Sequence, residues 1–131
     1  MKNIFSFALI AFAAILFFSA CDNDKEDTGL PQIVIESPEE GTTFELGDTV
    51  HIEVDITHTA ELHEYLVELK KASDGTVLFS EGEHSHSTEA HVHEHWVNNV
   101  SDHTDMELVV TATDHNDKTN TKKVHFHCHP N

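Results

Sequence analysis

Histidine is the residue type in this chain that could do chemistry. The 131 residues include 13 histidines, and most of them stand in two runs, within residues 84–95 and 125–129. Imidazole is the commonest metal-binding side chain in proteins, and it titrates near neutral pH. The two runs therefore predict a metal-binding protein. Their candidate ligands are His84, His86, His91, His93, His95, His125, His127 and His129.

The spacing of these histidines favours strands. Residues i and i+2 of a strand share a face, with their side chains about 6–7 Å apart. Two imidazoles at that spacing can converge on one ion, each with a bond of about 2.0–2.1 Å to zinc. The runs 91–95 and 125–129 alternate in this way, so each predicts half of a site that needs further ligands from elsewhere.

The rest of the chain shows the same period of two. Residues 49–56 place Val50, Ile52, Val54 and Ile56 on one face, and similar alternation recurs with turn signals about every ten residues. We predict seven or eight short strands in an all-β antiparallel sandwich. Glu94 shares the inward parity of its apolar neighbours, and a β-bulge is expected to relieve this conflict.

The chain divides into three parts. Residues 1–20 have a positive start, an apolar stretch and small residues at the end, which is typical of a secretory signal. The ending Phe18-Ser19-Ala20-Cys21 resembles the lipobox of bacterial lipoproteins, which implies cleavage before Cys21 and lipidation of that cysteine. Residues 21–31 form an acidic tether that resembles the surface-export signal of Bacteroidota lipoproteins, or else a plain linker. Residues 32–131 form the folded domain.

A second resemblance concerns this domain. The segment 33–41, the turn Gly47-Asp48 and the segment 110–114 resemble parts of bacterial Ig-like domains. The chain is similar to a Bacteroidota lipoprotein family of unknown function built on such a domain. This resemblance implies an Ig-like sandwich of about seven strands, A to G, and an outer-membrane lipoprotein of the cell envelope, with its exposure at the cell surface left open.

The Ig-like arrangement suggests where further ligands lie. Strand B pairs with strand E in such domains, so the row His51, Glu53 and Asp55 is expected beside the row His91, His93 and His95. These carboxylates are either metal ligands or hydrogen-bond acceptors for the imidazoles.

A second arrangement is expected where the B–C, D–E and F–G loops meet at one end of the sandwich. There, His84 and His86 are predicted to form a mobile loop pair that closes over an ion held by His115 or His58. Whether the strand row or this loop pair is the primary site stays open. His63 and His103 are interpreted as solvated surface residues.

Charge narrows the class of partner. The chain has 24 acidic and 7 basic residues, a net charge of −17, and none of the basic residues is Arg. Nucleic-acid binding needs basic patches, so this composition argues against a nucleic-acid partner and favours the binding of cations.

The role of Cys128 stays open. It is interpreted as a small buried hydrophobe, a soft metal ligand or an intermolecular disulfide partner.

The sequence shows no nucleophile elbow, metalloprotease helix or phosphate-binding loop, so we predict a non-enzyme. The favoured function is capture, buffering or transfer of zinc or copper by a lipoprotein anchored to the membrane through Cys21. The alternatives are a structural or adhesion module without native metal, a surface that responds to pH, and a metalloenzyme. Dimerisation stays open.

Overall fold

The computed structural model describes residues 29–131, which form strands and turns without a helix. No helix in this range could therefore cross a membrane. The predicted signal peptide and the lipidated Cys21 lie outside the described residues. The eight strands are β1 (Gln32–Ser37), β2 (Thr43–Phe44), β3 (Thr49–Thr57), β4 (Leu62–Lys71), β5 (Val77–His84), β6 (Glu89–Val97), β7 (Thr104–Asp114) and β8 (Thr119–Cys128).

The strands form two sheets. One has the order β1-β3-β6 and the other the order β2-β8-β7-β4-β5. Neighbouring strands pair antiparallel, except that the short β2 pairs parallel with β8. This confirms the predicted all-β class, and the two sheets are consistent with the predicted β-sandwich. The Ig-like assignment stays a prediction.

The predicted alternation builds the core. Val50, Ile52, Val54 and Ile56 on β3 are each at most 2% exposed. Burial of one such aliphatic side chain contributes about 1.5–3 kcal/mol, so the inward face of β3 is fixed and its outward residues must face solvent. The other sheet supplies the opposing buried side chains, among them Val67, Leu69, Leu108, Val110 and Phe126.

Cys128 belongs to this core. Its side chain is fully buried and makes no disulfide, and burial raises the pKa of its thiol to about 11. A buried, protonated thiol is neither a metal ligand nor a partner for another molecule. Of the three interpretations, the structure supports the small buried hydrophobe.

The bulge predicted near Glu94 is wrong. Strands β3 and β6 pair without interruption, and Glu94 lies directly opposite Ile52. Because β6 is the edge strand of its sheet, the Glu94 side chain stays half-exposed. Its carboxylate lies near Tyr65, where burial and the neighbouring Glu83, Glu81 and Glu94 raise the pKa of the phenol to about 12.

The two ends of the sandwich are built differently. At one end, here called the tip, the loops 58–61, 85–88 and 115–118 meet. These are the three loops that were predicted to lie together at one end of the sandwich. At the opposite end, here called the base, the turns 45–48 and 72–76 and the loop 98–103 lie beside the last residues of the chain.

A single buried amide holds the base together. Asn98 is 1% exposed, and its side-chain amide donates hydrogen bonds to the carbonyls of Phe44 at 3.1 Å and His129 at 3.0 Å. Its Oδ1 accepts from the backbone N–H of Val100 at 3.2 Å. Asn98 therefore ties β2, the loop 98–103 and the end of β8 to one another.

We predict that Asn98→Ala lowers the free energy of unfolding by about 1–3 kcal/mol, since buried backbone groups lose their partners. Urea denaturation of both proteins measures the change. The control is Asn99→Ala, because Asn99 is exposed and its replacement should cost less than about 0.5 kcal/mol. Equal effects of the two substitutions would contradict the role given to Asn98.

Candidate metal centre

Four histidines and one carboxylate meet at the tip, and we call them the tip cluster: Glu61, His63, His84, His86 and His115. They come from three separate parts of the chain. Glu61 directly precedes β4 and His63 lies at its start. His84 ends β5, His86 follows in the next loop, and His115 lies in the β7–β8 turn.

Backbone hydrogen bonds hold these segments in place. The N–H of Ser85 donates to the carbonyl of His63 at 2.9 Å, and the N–H of Leu62 donates to the carbonyl of Ser87 at 2.8 Å. The N–H of His58 donates to the carbonyl of Thr88 at 2.8 Å. The loop that carries His86 is therefore tied to the start of β4 along its length.

The imidazoles of the tip cluster touch one another through their nitrogens. His115 Nδ1 lies 3.2 Å from His63 Nδ1, and His115 Nε2 lies 3.1 Å from His86 Nδ1. The rings of His86 and His115 are stacked, with centroids 5.0 Å apart and planes inclined by 11°. His84 packs edge-on against His63 at 4.5 Å and against His86 at 4.9 Å.

These distances fit the geometry of a bound ion. Four ligands placed tetrahedrally at about 2.0–2.1 Å from zinc lie about 3.3 Å from each other. The ligand atoms of Glu61, His86 and His115 all lie within 4.8 Å of one another, and all three residues are exposed. Among residues 29–131, this group alone brings three such atoms so close together.

A buried carboxylate supports the turn that carries His115. Asp114 Oδ1 accepts the N–H groups of Asn116 at 2.7 Å and Lys118 at 2.9 Å, and its Oδ2 lies 3.1 Å from His58 Nε2. Burial alone would raise the pKa of Asp114, but these hydrogen bonds outweigh it and lower the pKa to about 2. Asp114 is therefore ionised near neutral pH and fixes the backbone next to His115.

The structure changes the predicted end site in several ways. It brings His86 and His115 together as predicted. It places His84 on β5 instead of in a loop, so the prediction of a mobile loop pair is wrong for His84. His58 does not contribute a ligand to the cluster. Its side chain, which is only 3% exposed, is paired with the buried Asp114.

The sequence did not identify His63 and Glu61 as members of this cluster. The pairing of β4 with β7 shifts register between Leu62 and Glu64. This irregularity takes His63 out of the ladder and leaves it half-buried beside His115. No pattern in the sequence predicts a bulge at this position. The presence of a histidine, His63, close to a loop that was expected to lie beside the other loop histidines was a signal that could have been used.

The predicted strand row on β3 and β6 lies where the sequence placed it. The register pairs His51 with His95, Glu53 with His93, and Asp55 with His91. His91 Nδ1 lies 2.6 Å from Asp55 Oδ1, and His93 Nδ1 lies 3.5 Å from Glu53 Oε1. The carboxylates thus lie beside the imidazoles as predicted, in the geometry of ion pairs, and the metal role of this row stays a prediction.

The row His125, His127 and His129 lies on β8 and directly after it, in the other sheet, and each of its histidines faces a carboxylate. His127 Nδ1 is 2.7 Å from Asp105 Oδ1. His125 lies between Glu107 at 3.5 Å and Glu40 at 3.6 Å. The third pair joins His129 and Glu45, whose separation is 3.5 Å. The metal role of this row is likewise still a prediction.

The hydrogen bond that the His91 imidazole donates to Asp55, followed by the charge of that carboxylate, raises the pKa of His91 above its ordinary value of 6.5. A raised pKa in the folded state means that the pair stabilises the protein at low pH. This contribution is complete below about pH 6.5 and is lost as the pH rises through the folded-state pKa.

We predict that an NMR titration of the imidazole gives His91 a pKa above 6.5, and that Asp55→Asn lowers it. Asp105→Asn serves as the control, because Asp105 pairs with His127 on the other sheet and its replacement should leave the His91 titration unchanged. A His91 titration that does not respond to Asp55→Asn would contradict the assigned pair.

Comparison with known proteins places the chain in a family. A search of curated proteins finds no match. A family model described as a domain of unknown function, DUF4625, matches residues 18–127. Since this match covers most of the chain, the protein belongs to the DUF4625 family.

Proposed function

We propose that this protein binds a divalent transition metal, zinc or copper(II), at the tip cluster, and that it captures, buffers or hands on the ion. The observation that carries the proposal is the series of three imidazoles, His63, His115 and His86, whose facing nitrogens lie 3.1–3.2 Å apart beside Glu61. We propose a binding role and not an enzymatic one.

The nitrogen contacts favour neutral imidazoles. A doubly protonated ring only donates hydrogen bonds, so two such rings cannot share a nitrogen–nitrogen contact of this length. At least one ring of each contact is therefore neutral and offers a lone pair. Imidazole nitrogen with carboxylate oxygen is a ligand set that suits zinc and copper(II).

Within the cluster the residues take different roles. His115 offers one nitrogen toward His86 and the other toward His63. If an ion joins His86, His115 and Glu61, the remaining nitrogen of His115 keeps its contact with His63. His63 would then orient the His115 ring, which is the usual role of a hydrogen-bond partner behind a metal-bound imidazole.

The exposure of the candidate ligands and the negative charge of the protein support a bound ion that exchanges with the solvent. Glu61, His86 and His115 are all exposed, whereas structural zinc sites are closed by four protein ligands. The net charge of −17 raises the local concentration of cations around the protein. Both features fit capture and release of an ion better than its permanent retention.

The proposal includes a place in the cell. Cleavage before Cys21 and lipidation of this cysteine would anchor the protein to the outer membrane of the cell envelope, with the acidic residues 21–31 as a tether. The support is the Phe18–Cys21 motif. More than one acyl chain is needed for stable anchoring, and a lipidated amino-terminal cysteine provides it.

Titration calorimetry of the untagged protein with zinc, copper(II) and nickel tests the site. We expect a dissociation constant below about 10 μM for zinc or copper(II) and loss of this binding in His86→Ala/His115→Ala. The matched control is His91→Ala/His93→Ala, which also removes two exposed histidines but from the carboxylate-paired row. Loss of binding in the control with retention in the tip variant would overturn the assignment.

Thermal unfolding gives an independent readout. Free metal at 100 times its dissociation constant stabilises a folded protein by about 2.7 kcal/mol, which for a domain of this size raises Tm by on the order of 10 °C. We expect this rise with zinc or copper(II) and its reversal by a chelator. A Tm that responds to neither treatment would favour a structural or adhesion module without native metal.

A further inference from the structure

We infer that the buried pair His58 and Asp114 holds the ligands of the tip cluster in position before an ion arrives, and so sets the affinity of the site. Neither residue belongs to the group whose ligand atoms converge, Glu61, His86 and His115. Both are therefore positioning residues, which act through the backbone segments that they hold. The inference rests on the proposed metal-binding function of the tip.

The pair joins two of the three segments that carry these ligands. His58 begins the loop 58–61, which ends at Glu61, and Asp114 ends β7 directly before His115. The two side chains meet away from solvent, since His58 Nε2 lies 3.1 Å from Asp114 Oδ2 and they are 3% and 1% exposed. A buried polar contact of this kind costs free energy to break. It therefore fixes the loop 58–61 against the β7–β8 turn.

His58 also reaches the third segment, through its backbone. Its N–H donates to the carbonyl of Thr88 at 2.8 Å, and Thr88 belongs to the same loop as His86. His58 thus contacts the turn that carries His115 with its side chain and the loop that carries His86 with its main chain. The three segments that bear the ligands meet at this one residue.

Asp114 shapes the turn that presents His115. Its Oδ1 accepts the N–H groups of Asn116 at 2.7 Å and Lys118 at 2.9 Å, and its own N–H donates to the carbonyl of Lys118 at 3.0 Å. Within this turn Asp117 has a φ of 61°, a left-handed conformation that is unfavourable for most residues with a side chain. Such a conformation persists where surrounding contacts impose it, and here the contacts are those of Asp114.

The exposed position of the ligands gives this support its importance. Glu61, His86 and His115 are all exposed, so the interior of the sandwich does not hold their side chains directly. Ordering such groups when a ligand binds costs free energy. A backbone that already presents them near one another lowers this cost, and the ion binds more tightly. Removal of a residue that orients metal-binding side chains changes the metal affinity by about 10–100-fold.

Titration calorimetry of the untagged full protein, with zinc alone and with copper(II) alone, tests the inference. We expect Asp114→Ala and His58→Ala to raise the dissociation constant of the tip ion by on the order of tenfold or more. Asp114→Asn keeps an oxygen for the N–H groups of the turn and a polar group for His58. His58→Gln places an amide nitrogen where the imidazole Nε2 stood. Both of these conservative variants should restore most of the affinity.

The matched control for a general loss of stability is Asn98→Ala. Asn98 is as deeply buried as Asp114, and it also holds several backbone segments together by hydrogen bonds, but at the base. Asn98→Ala should destabilise the protein to a similar extent and leave the dissociation constant of the tip ion unchanged. A merely structural role for His58 and Asp114 would instead give the three alanine variants the same metal affinity.

Amide NMR spectra show which variants are folded. If Asp114→Ala does not fold, the comparison of His58→Ala with His58→Gln decides in the same way. Unchanged binding in the His58 and Asp114 alanine variants, or equal weakening in Asn98→Ala, would overturn the positioning role while the proposed function of the tip stands. Absence of zinc and copper(II) binding by the unsubstituted protein would instead overturn the proposed function, and the positioning role with it.

Discussion

The alternation of inward and outward side chains on paired strands is the constraint on which this structure depends. On β3, burial of Val50, Ile52, Val54 and Ile56 fixes which face is inward, and a shift by one residue would expose all of them. The same constraint sets the register with β6. The polar side chains between the buried residues therefore stand in rigid rows on the outside, and the ends of the strands carry the remaining histidines.

This constraint sorts the histidines into two chemical settings. Along the sheet faces an imidazole meets a carboxylate, as in the pairs His91–Asp55 and His127–Asp105 at 2.6 and 2.7 Å. For His91 this partner raises the pKa and so favours the protonated ring, which has no lone pair for a metal. At the tip, imidazole meets imidazole, and each such contact requires at least one neutral ring. The geometry thus separates histidines that face carboxylates from histidines that face one another within one small domain.

Much of the fold follows from the sequence, and less of the site does. Period-two patterns predicted the strands, and the resemblance to Ig-like domains predicted that the row His51, Glu53 and Asp55 lies beside the row His91, His93 and His95. The tip cluster was harder to predict from the sequence because its geometry depends on local irregularities of the backbone. The register shift beside Leu62 moves His63 toward His115, and Asp114 supports its turn through hydrogen bonds that form only after folding. The prediction of a bulge near Glu94 was wrong because an edge strand tolerates a half-exposed carboxylate.

We propose that the tip cluster holds a transition-metal ion. Crystallographic anomalous scattering, recorded at the zinc absorption edge from protein crystallised with zinc, can locate such an ion. We expect a strong anomalous peak within bonding distance, about 2.0–2.2 Å, of His86, His115 and Glu61. A peak on the His91 and His93 row with none at the tip, or no peak at all from zinc-saturated crystals, would contradict it.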